Sequence, residues 1–296
     1  MITVLVLVVG AALLVGAVVA LGPLIRRAAL SAASRVEHQP IPSPWLRVVT
    51  ERVPAIRSLN AEQQNRLLRA ARDLMQHCHW EGLRGLVLTE DMQLVIAAQA
   101  CLLTLELPGD PYPGLRAVLV YPGTFQPHPD ADPRKWVVDR AATEPPSPEL
   151  GEAWRDGTVV VSWGAAETGG RNPTDGRNVV FHEFAHLLDY QYALEQGDPN
   201  LSYVRNDAAG SGAEMSTPRP GRWSRVLGES YERHCAAVAV GAPTLLGEYA
   251  ATSVAEFLAV ATERFFERPG ELREEYPDLY QQLSGFFRQD PARRAE

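Results

Sequence analysis

The feature that most constrains this chain is the run Asn178-Val179-Val180-Phe181-His182-Glu183-Phe184-Ala185-His186-Leu187-Leu188-Asp189. It carries His-Glu-x-x-His inside an apolar, helix-forming stretch. Two histidines four apart on an α-helix lie about 40° apart around the axis and one turn up, so both imidazoles can reach one metal ion. The Glu183 carboxylate sits beside the first histidine, where it can take a proton from a water held by that ion. The flanking residues are nearly all apolar, as in a buried helix. A buried helix does not carry two histidines and a glutamate without partners for them. The competing reading is a chance motif on a structural helix, and the buried setting favours the metal site.

Two histidines do not complete a catalytic zinc site. A third protein ligand is expected from elsewhere, with one position left for water. The stretch Ser253 to Phe266 (SVAEFLAVATERFF) offers a carboxylate in an apolar helix. Ser253 reads as the N-cap and Glu256 as position N3, a capping-box pattern. Glu256 either completes that box or, given its apolar neighbours, turns inward as the third ligand. Glu263, seven residues on, lies close to the same face. It is either an acceptor for the second nitrogen of a ligand histidine or a solvated side chain. Asp189, three residues after His186, is an alternative third ligand in an HExxHxxD arrangement, or a supporting group at the helix end. Tyr249, just before the second helix, can donate its phenol to a developing oxyanion.

The rest of the chain reads as alternating helices and short strands. Ser58 to Cys78 has helical spacing with Ser58 or Asn60 as cap, and Thr89 to Leu107 forms a second helix closed by Pro108-Gly109. Leu115 to Tyr121 and Thr158 to Trp163 read as strands, and Trp136 to Asp139 as a third. Residues 127–133 and 141–150 read as loops. A Gly/Asn/Pro loop separates the Thr158 strand from the HExxH helix, and a strand in this position commonly edges a peptidase cleft. Gly197 to Gly221 is a long loop rich in Gly, Ser, Pro, Asn and Asp, followed by a helix over Arg222 to Val240. His77, His79 and His128 read as surface residues and His234 as structural.

Composition removes other classes. The net charge of -8 and the lack of a Lys/Arg block give no footing for nucleic acid. Cys78, Cys101 and Cys235 are odd in number, far apart and without metal-knuckle spacing, so reduced thiols in a cytosolic compartment are expected. Ile2 to Ile25 is free of charge for 24 residues. As a helix it is roughly 36 Å long, enough to cross a hydrocarbon core of about 30 Å. Arg26, Arg27 and Arg35 follow it and no basic residue precedes it. That favours a retained anchor over a cleaved signal, with everything after Arg26 cytoplasmic. His38 to Pro44 is a Pro-rich connector. The expected organisation is an anchor over 1–26, a linker over 27–45, one domain over 46–291 and a tail over 292–296.

FHEFAHLLD together with EYAATSVAEFLAVATERFFERP resembles the Mlc titration factor A family of zinc peptidases, over roughly Leu46 to Pro291. The second block is also similar to the corresponding segment of anthrax lethal factor, a gluzincin-type relative. The resemblance implies His182, His186 and Glu256 as zinc ligands, Glu183 as general base and Tyr249 as the hydroxyl that serves the transition state. Val254 stands where the family usually has proline before AEF, which alters the helix start and not a ligand. A leading membrane span departs from the family's soluble members. The expected fold is α+β: a helix-rich zincin-like metallopeptidase domain with a small sheet, preceded by one N-terminal transmembrane helix. The expected function is zinc-dependent peptide hydrolysis with one Zn2+ per chain, aminopeptidase-like and regulatory. The partners are a peptide or protein substrate and, by resemblance, a transcriptional regulator. The alternative is a membrane-tethered zinc-containing binding module that captures a regulator with little turnover. A weaker third reading is a metal-dependent hydrolase of another bond.

Overall fold

In the computed structural model, residues 41–110, 112–123, 157–196 and 222–294 are described. The elements run α1 (Ser43–Arg52), a 3-10 turn (Pro54–Ser58), α2 (Ala61–His77), β1 (His79–Gly82), α3 (Glu90–Leu103), β2 (Ala117–Tyr121), β3 (Thr158–Ser162), α4 (Trp163–Arg171) and α5 (Val179–Gln196). Then follow α6 (Arg222–Ala239), a 3-10 turn (Glu248–Ala251), α7 (Val254–Glu267), α8 (Pro269–Glu275), α9 (Pro277–Phe287) and α10 (Pro291–Arg294). The segment read as a membrane anchor, the strand over Trp136 to Asp139, His128 and the loop over Gly197 to Gly221 lie outside the described residues. Among the described residues, no helix is long and apolar enough to cross a membrane.

Local chemistry accounts for the starts of the helices. Asn60, not Ser58, caps α2: its side chain accepts from the Gln63 N–H at 2.9 Å and Gln63 returns the bond to the Asn60 N–H at 3.1 Å. Thr89 caps α3 through the Met92 N–H at 3.3 Å. The helix ends at Leu103, short of the Leu107 expected. α3 carries more than one apolar face: every side chain from Leu94 to Leu103 is buried. A helix buried all round belongs at the centre of the domain, and α3 packs against α1, α2, α4 and α5.

The sheet is small and parallel, in the order β1-β2-β3. Val118, Val120, Val159 and Val161 point alternately into the core and are fully buried. β1 is a strand the sequence did not announce. Its four residues, His-Trp-Glu-Gly, are too short and too polar to show a period. His77 closes α2, His79 opens β1, and both are exposed, as surface residues should be. Among the described residues β3 is an edge strand, and it packs against α5.

A second correction concerns the link from β3 to α5. Trp163–Arg171 is a helix where only a Gly/Asn/Pro loop was expected. Ser162 caps it through the Ala165 N–H at 3.3 Å. Its glycines are contact points. A Cβ on Gly169 would lie 3.0 Å from the Arg177 carbonyl oxygen, and one on Gly170 would lie 3.0 Å from the Gln99 amide. The residues that weaken this helix by propensity are those that let it pack closely.

Candidate metal centre

α5 starts where Asn178 caps it. The Asn178 Oδ1 accepts from the N–H groups of Val180 and Phe181, each at 3.1 Å. Its own backbone N–H donates to Glu263 at 2.6 Å, and its amide donates to Gln99 at 2.9 Å and to Glu267 at 3.2 Å. The cap therefore ties α5 to both α3 and α7, which fixes where His182 and His186 emerge. Both histidines are buried, with 3% and 5% of their surface exposed.

On α7, Ser253 caps the helix by accepting from the Glu256 N–H at 3.1 Å. The Glu256 carboxylate turns toward the histidines instead of back to the cap. Its Oε2 lies 2.9 Å from His182 Nε2 and 3.5 Å from His186 Nε2, and the two Nε2 atoms are 3.2 Å apart. Zinc bonds of about 2.0–2.1 Å in a tetrahedron place ligand atoms about 3.3 Å apart. The three observed separations bracket that edge, so the donor set fits one such ion. Among the described residues, this is the one group of three or more His, Cys, Asp or Glu side chains that could hold a metal ion.

Glu263 sits behind His182. Its Oε1 accepts from His182 Nδ1 at 2.8 Å while its Oε2 accepts from the Asn178 N–H. An ionised carboxylate only accepts, so the network assigns the proton to Nδ1 and leaves the Nε2 lone pair facing His186 and Glu256. A lone pair, a second ring nitrogen and a carboxylate oxygen this close need a positive charge among them, either a proton or a metal ion. The titration shifts reflect the same demand. Burial opposes charge on His182, yet hydrogen bonds and charge from Glu256 and Glu263 hold its pKa well above the usual imidazole value. Burial opposes charge on Glu256 too, and the His186 charge with the His182 and His186 hydrogen bonds carries it well below the usual carboxylate range.

Glu183 is buried at 3% exposure, next in sequence to His182. Tyr249 stands on the 3-10 turn before α7, its ring centroid 6.0 Å from that of His182. Burial pushes its phenol pKa upward, and the charges of Glu256, Glu183 and Glu263 push it further, so the group remains an O–H donor. The turn is tethered on both sides. His234 Nε2 donates to the Gly247 carbonyl at 3.0 Å while its Nδ1 accepts from the Tyr276 hydroxyl at 3.2 Å. Arg264 donates to the Leu245 carbonyl at 3.1 Å and Tyr231 to the Ala251 carbonyl at 3.1 Å. His234 is structural, as expected.

The structure brings His182, His186, Glu256, Glu263 and Tyr249 together, with Glu183 beside them. It does not bring in Asp189 as a ligand. That carboxyl lies near His186 in a crevice formed with Trp223, Leu258, Thr262 and Phe287, and burial raises its pKa to about 7. Three supporting residues escaped the sequence reading. Gln99 is fully buried and hydrogen-bonds both the Ala166 carbonyl and Asn178. Glu267 accepts from the Arg177 N–H at 2.8 Å. Arg264 donates to the Asp175 carbonyl at 2.6 Å. A polar residue inside the unbroken apolar run of α3 was the one signal that could have exposed Gln99.

Known proteins resemble this chain in sequence. The chain is 35% identical over 255 residues to an uncharacterized protein of Synechocystis sp., spanning 86% of each chain. It is 30% identical over 248 residues to Mlc titration factor A of Serratia proteamaculans, spanning 82% of this chain and 87% of that one. It is also 30% identical over 262 residues to Mlc titration factor A of Klebsiella pneumoniae, spanning 86% of this chain and 89% of that one. Residues 26–288 match the family described as glucose-regulated metallo-peptidase M90. With the two-histidine, one-glutamate cluster inside that span, the chain belongs to the M90 metallopeptidase family, together with the Mlc titration factors A.

Proposed function

We propose that the protein is a zinc-dependent peptidase with a regulatory role, aminopeptidase-like in its activity, holding one Zn2+ through His182, His186 and Glu256. The observation that carries this is the convergence of three donor atoms at tetrahedral spacing, two from α5, which also carries Glu183, and one from α7. Bound there, zinc would supply Lewis-acid chemistry, polarising a carbonyl and acidifying a water. Glu183 takes the proton of the attacking water and hands it to the leaving amine. Tyr249 donates its phenol O–H to the oxyanion of the tetrahedral intermediate. Glu263 orients His182 and keeps its Nε2 free of the ring proton. The free edge of β3 among the described residues offers backbone groups to an extended peptide. A gluzincin-type site, as the resemblance to the lethal factor segment implies, is part of this reading.

The names of the relatives favour a second feature. Proteins called Mlc titration factor A are named for titrating Mlc. We extend this to a transcriptional regulator as partner of this chain, either as substrate or as captured ligand. The charge-free run over residues 2–25 and the arginines after it support an anchor in the cytoplasmic membrane with the domain over 46–291 on its cytoplasmic side. Glu183→Gln separates turnover from capture. As a peptidase, the variant keeps stoichiometric zinc and loses cleavage of every peptide the parent cuts. If the variant retains the full biological effect, the protein acts by capture and the peptidase reading of its role is wrong.

A further inference from the structure

A cavity of about 210 Å3 opens beside His182. Its walls include Ala165 and Gly169 of α4, Val179 in the first turn of α5, Leu246 and Tyr249 ahead of α7, and Val260 of α7. His182, Glu263 and Tyr249 line it as well, whereas Glu183, His186 and Glu256 do not. It therefore adjoins the candidate metal centre at the N-terminal end of the HExxH helix.

Most polar groups at its margin are engaged elsewhere, although Arg177 and the exposed Glu248 also line it. Glu263 is held by His182 and Asn178. The Arg264 guanidinium donates to the carbonyls of Asp175 and Leu245. It lies over Gly176, where the backbone has a φ of +77° and a Cβ would fall 1.6 Å from the guanidinium nitrogen. The Asp175 carboxylate accepts from the Arg177 N–H at 2.9 Å and from the Asn172 amide at 2.8 Å. What remains facing the space is largely carbon. Size then selects the occupant. An apolar cavity of about 150 Å3 holds a benzene ring, while drug-sized ligands occupy about 300 Å3 or more. The space suits one large side chain.

We propose that this cavity is the subsite for a single large apolar side chain, of the size of Phe, Leu or Met, on the peptide residue that flanks the scissile bond. The assignment rests on the peptidase reading above and adds a substrate class to it. Two series of internally quenched peptides with free amino termini and side-chain-attached labels test it on the full-length, zinc-loaded chain, one series varied on each side of the scissile bond. In one of the two series the parent cleaves the Phe peptide roughly tenfold to a hundredfold better in kcat/KM than the Ala peptide. Ala165→Phe, which places a ring in the cavity, brings that ratio to about one with zinc content and thermal stability kept. Cleavage without such a preference, or a preference that survives Ala165→Phe, overturns the subsite and leaves the peptidase reading intact. Calorimetric titration of Glu183→Gln with the same peptides reads the cavity without turnover. Tighter binding of the Phe peptide, lost in the Glu183→Gln/Ala165→Phe pair, supports the subsite even if the parent cuts nothing, in which case the peptidase reading alone falls. Equal binding of the Phe and Ala peptides overturns the subsite.

Discussion

Replacing Glu263 by Gln removes one negative charge at nearly constant volume, behind a ligand and not at the metal. In the native arrangement its two oxygens accept the His182 Nδ1–H at 2.8 Å and the Asn178 N–H at 2.6 Å, at 8% exposure. A glutamine has one carbonyl oxygen, so one of these two donors must face its NH2. If the imidazole loses its acceptor, ring orientation and basicity both suffer, and metal affinity is expected to fall about 10- to 100-fold. That is about 1.4 to 2.8 kcal/mol. If the Asn178 N–H is the one left unpaired, the cap of α5 weakens and folding loses about 1 to 3 kcal/mol. Competition for zinc against a chromogenic chelator measures the first effect. Thermal unfolding with and without chelator measures the second, because the metal-free protein reports folding alone while bound zinc adds stability that grows with the logarithm of its affinity. Glu271→Gln, on an exposed pair with Arg268, serves as the control. A folded Glu263→Gln protein that binds zinc within twofold of the parent would refute the claim that Glu263 orients His182.

Tyr249→Phe should keep zinc and lower kcat about 100- to 1000-fold, since a protonated phenol acts on the transition state; a kcat within threefold of the parent would remove Tyr249 from the mechanism. Asp189→Asn should flatten the pH dependence of stability. Burial raises the Asp189 pKa from 3.8 to about 7, partly opposed by the His186 charge, so the folded state holds a proton that the unfolded chain has released. The associated stability is complete below about pH 4 and is lost as pH rises through 7. Parent and variant should coincide near pH 4 and diverge above it, with Asn more stable at pH 8 by up to about 4 kcal/mol in denaturant titrations. Parallel curves would contradict this. Burial and the Asp110 charge raise the Cys78 thiol to about 11, so its alkylation at pH 8 should be about 100-fold slower than that of an ordinary protein thiol and should keep rising to about pH 11. A rate plateau near pH 9, followed by mass spectrometry, would show the thiol to be unshifted.

Much of the centre was legible in the chain because it is local. The i, i+4 spacing of His182 and His186 fixes their relative geometry on any helix, and Ser253 announces the start of α7 by its own side chain. The helix Trp163–Arg171 was not legible, because glycine reads as a breaker when its neighbours in space are unknown. Gly169 and Gly170 are small so that Asn178 and Gln99 can approach. The edges of α3 and β2 shifted by a few residues for a similar reason, since packing and not propensity decides where a marginal turn stops.

By itself the sequence determined which helices carry the acidic and imidazole groups, and that two of those groups share a face. It left Glu256 between a cap and a ligand, and Glu263 between a buried acceptor and a solvated side chain. Only the packing of α7 on α5 decided both. Glu256 lies 74 residues from His182 and Glu263 lies 81, and no local rule specifies the distance between two side chains so far apart in the chain. That distance is set by the cap at Asn178, which binds α3, α5 and α7 at a single point.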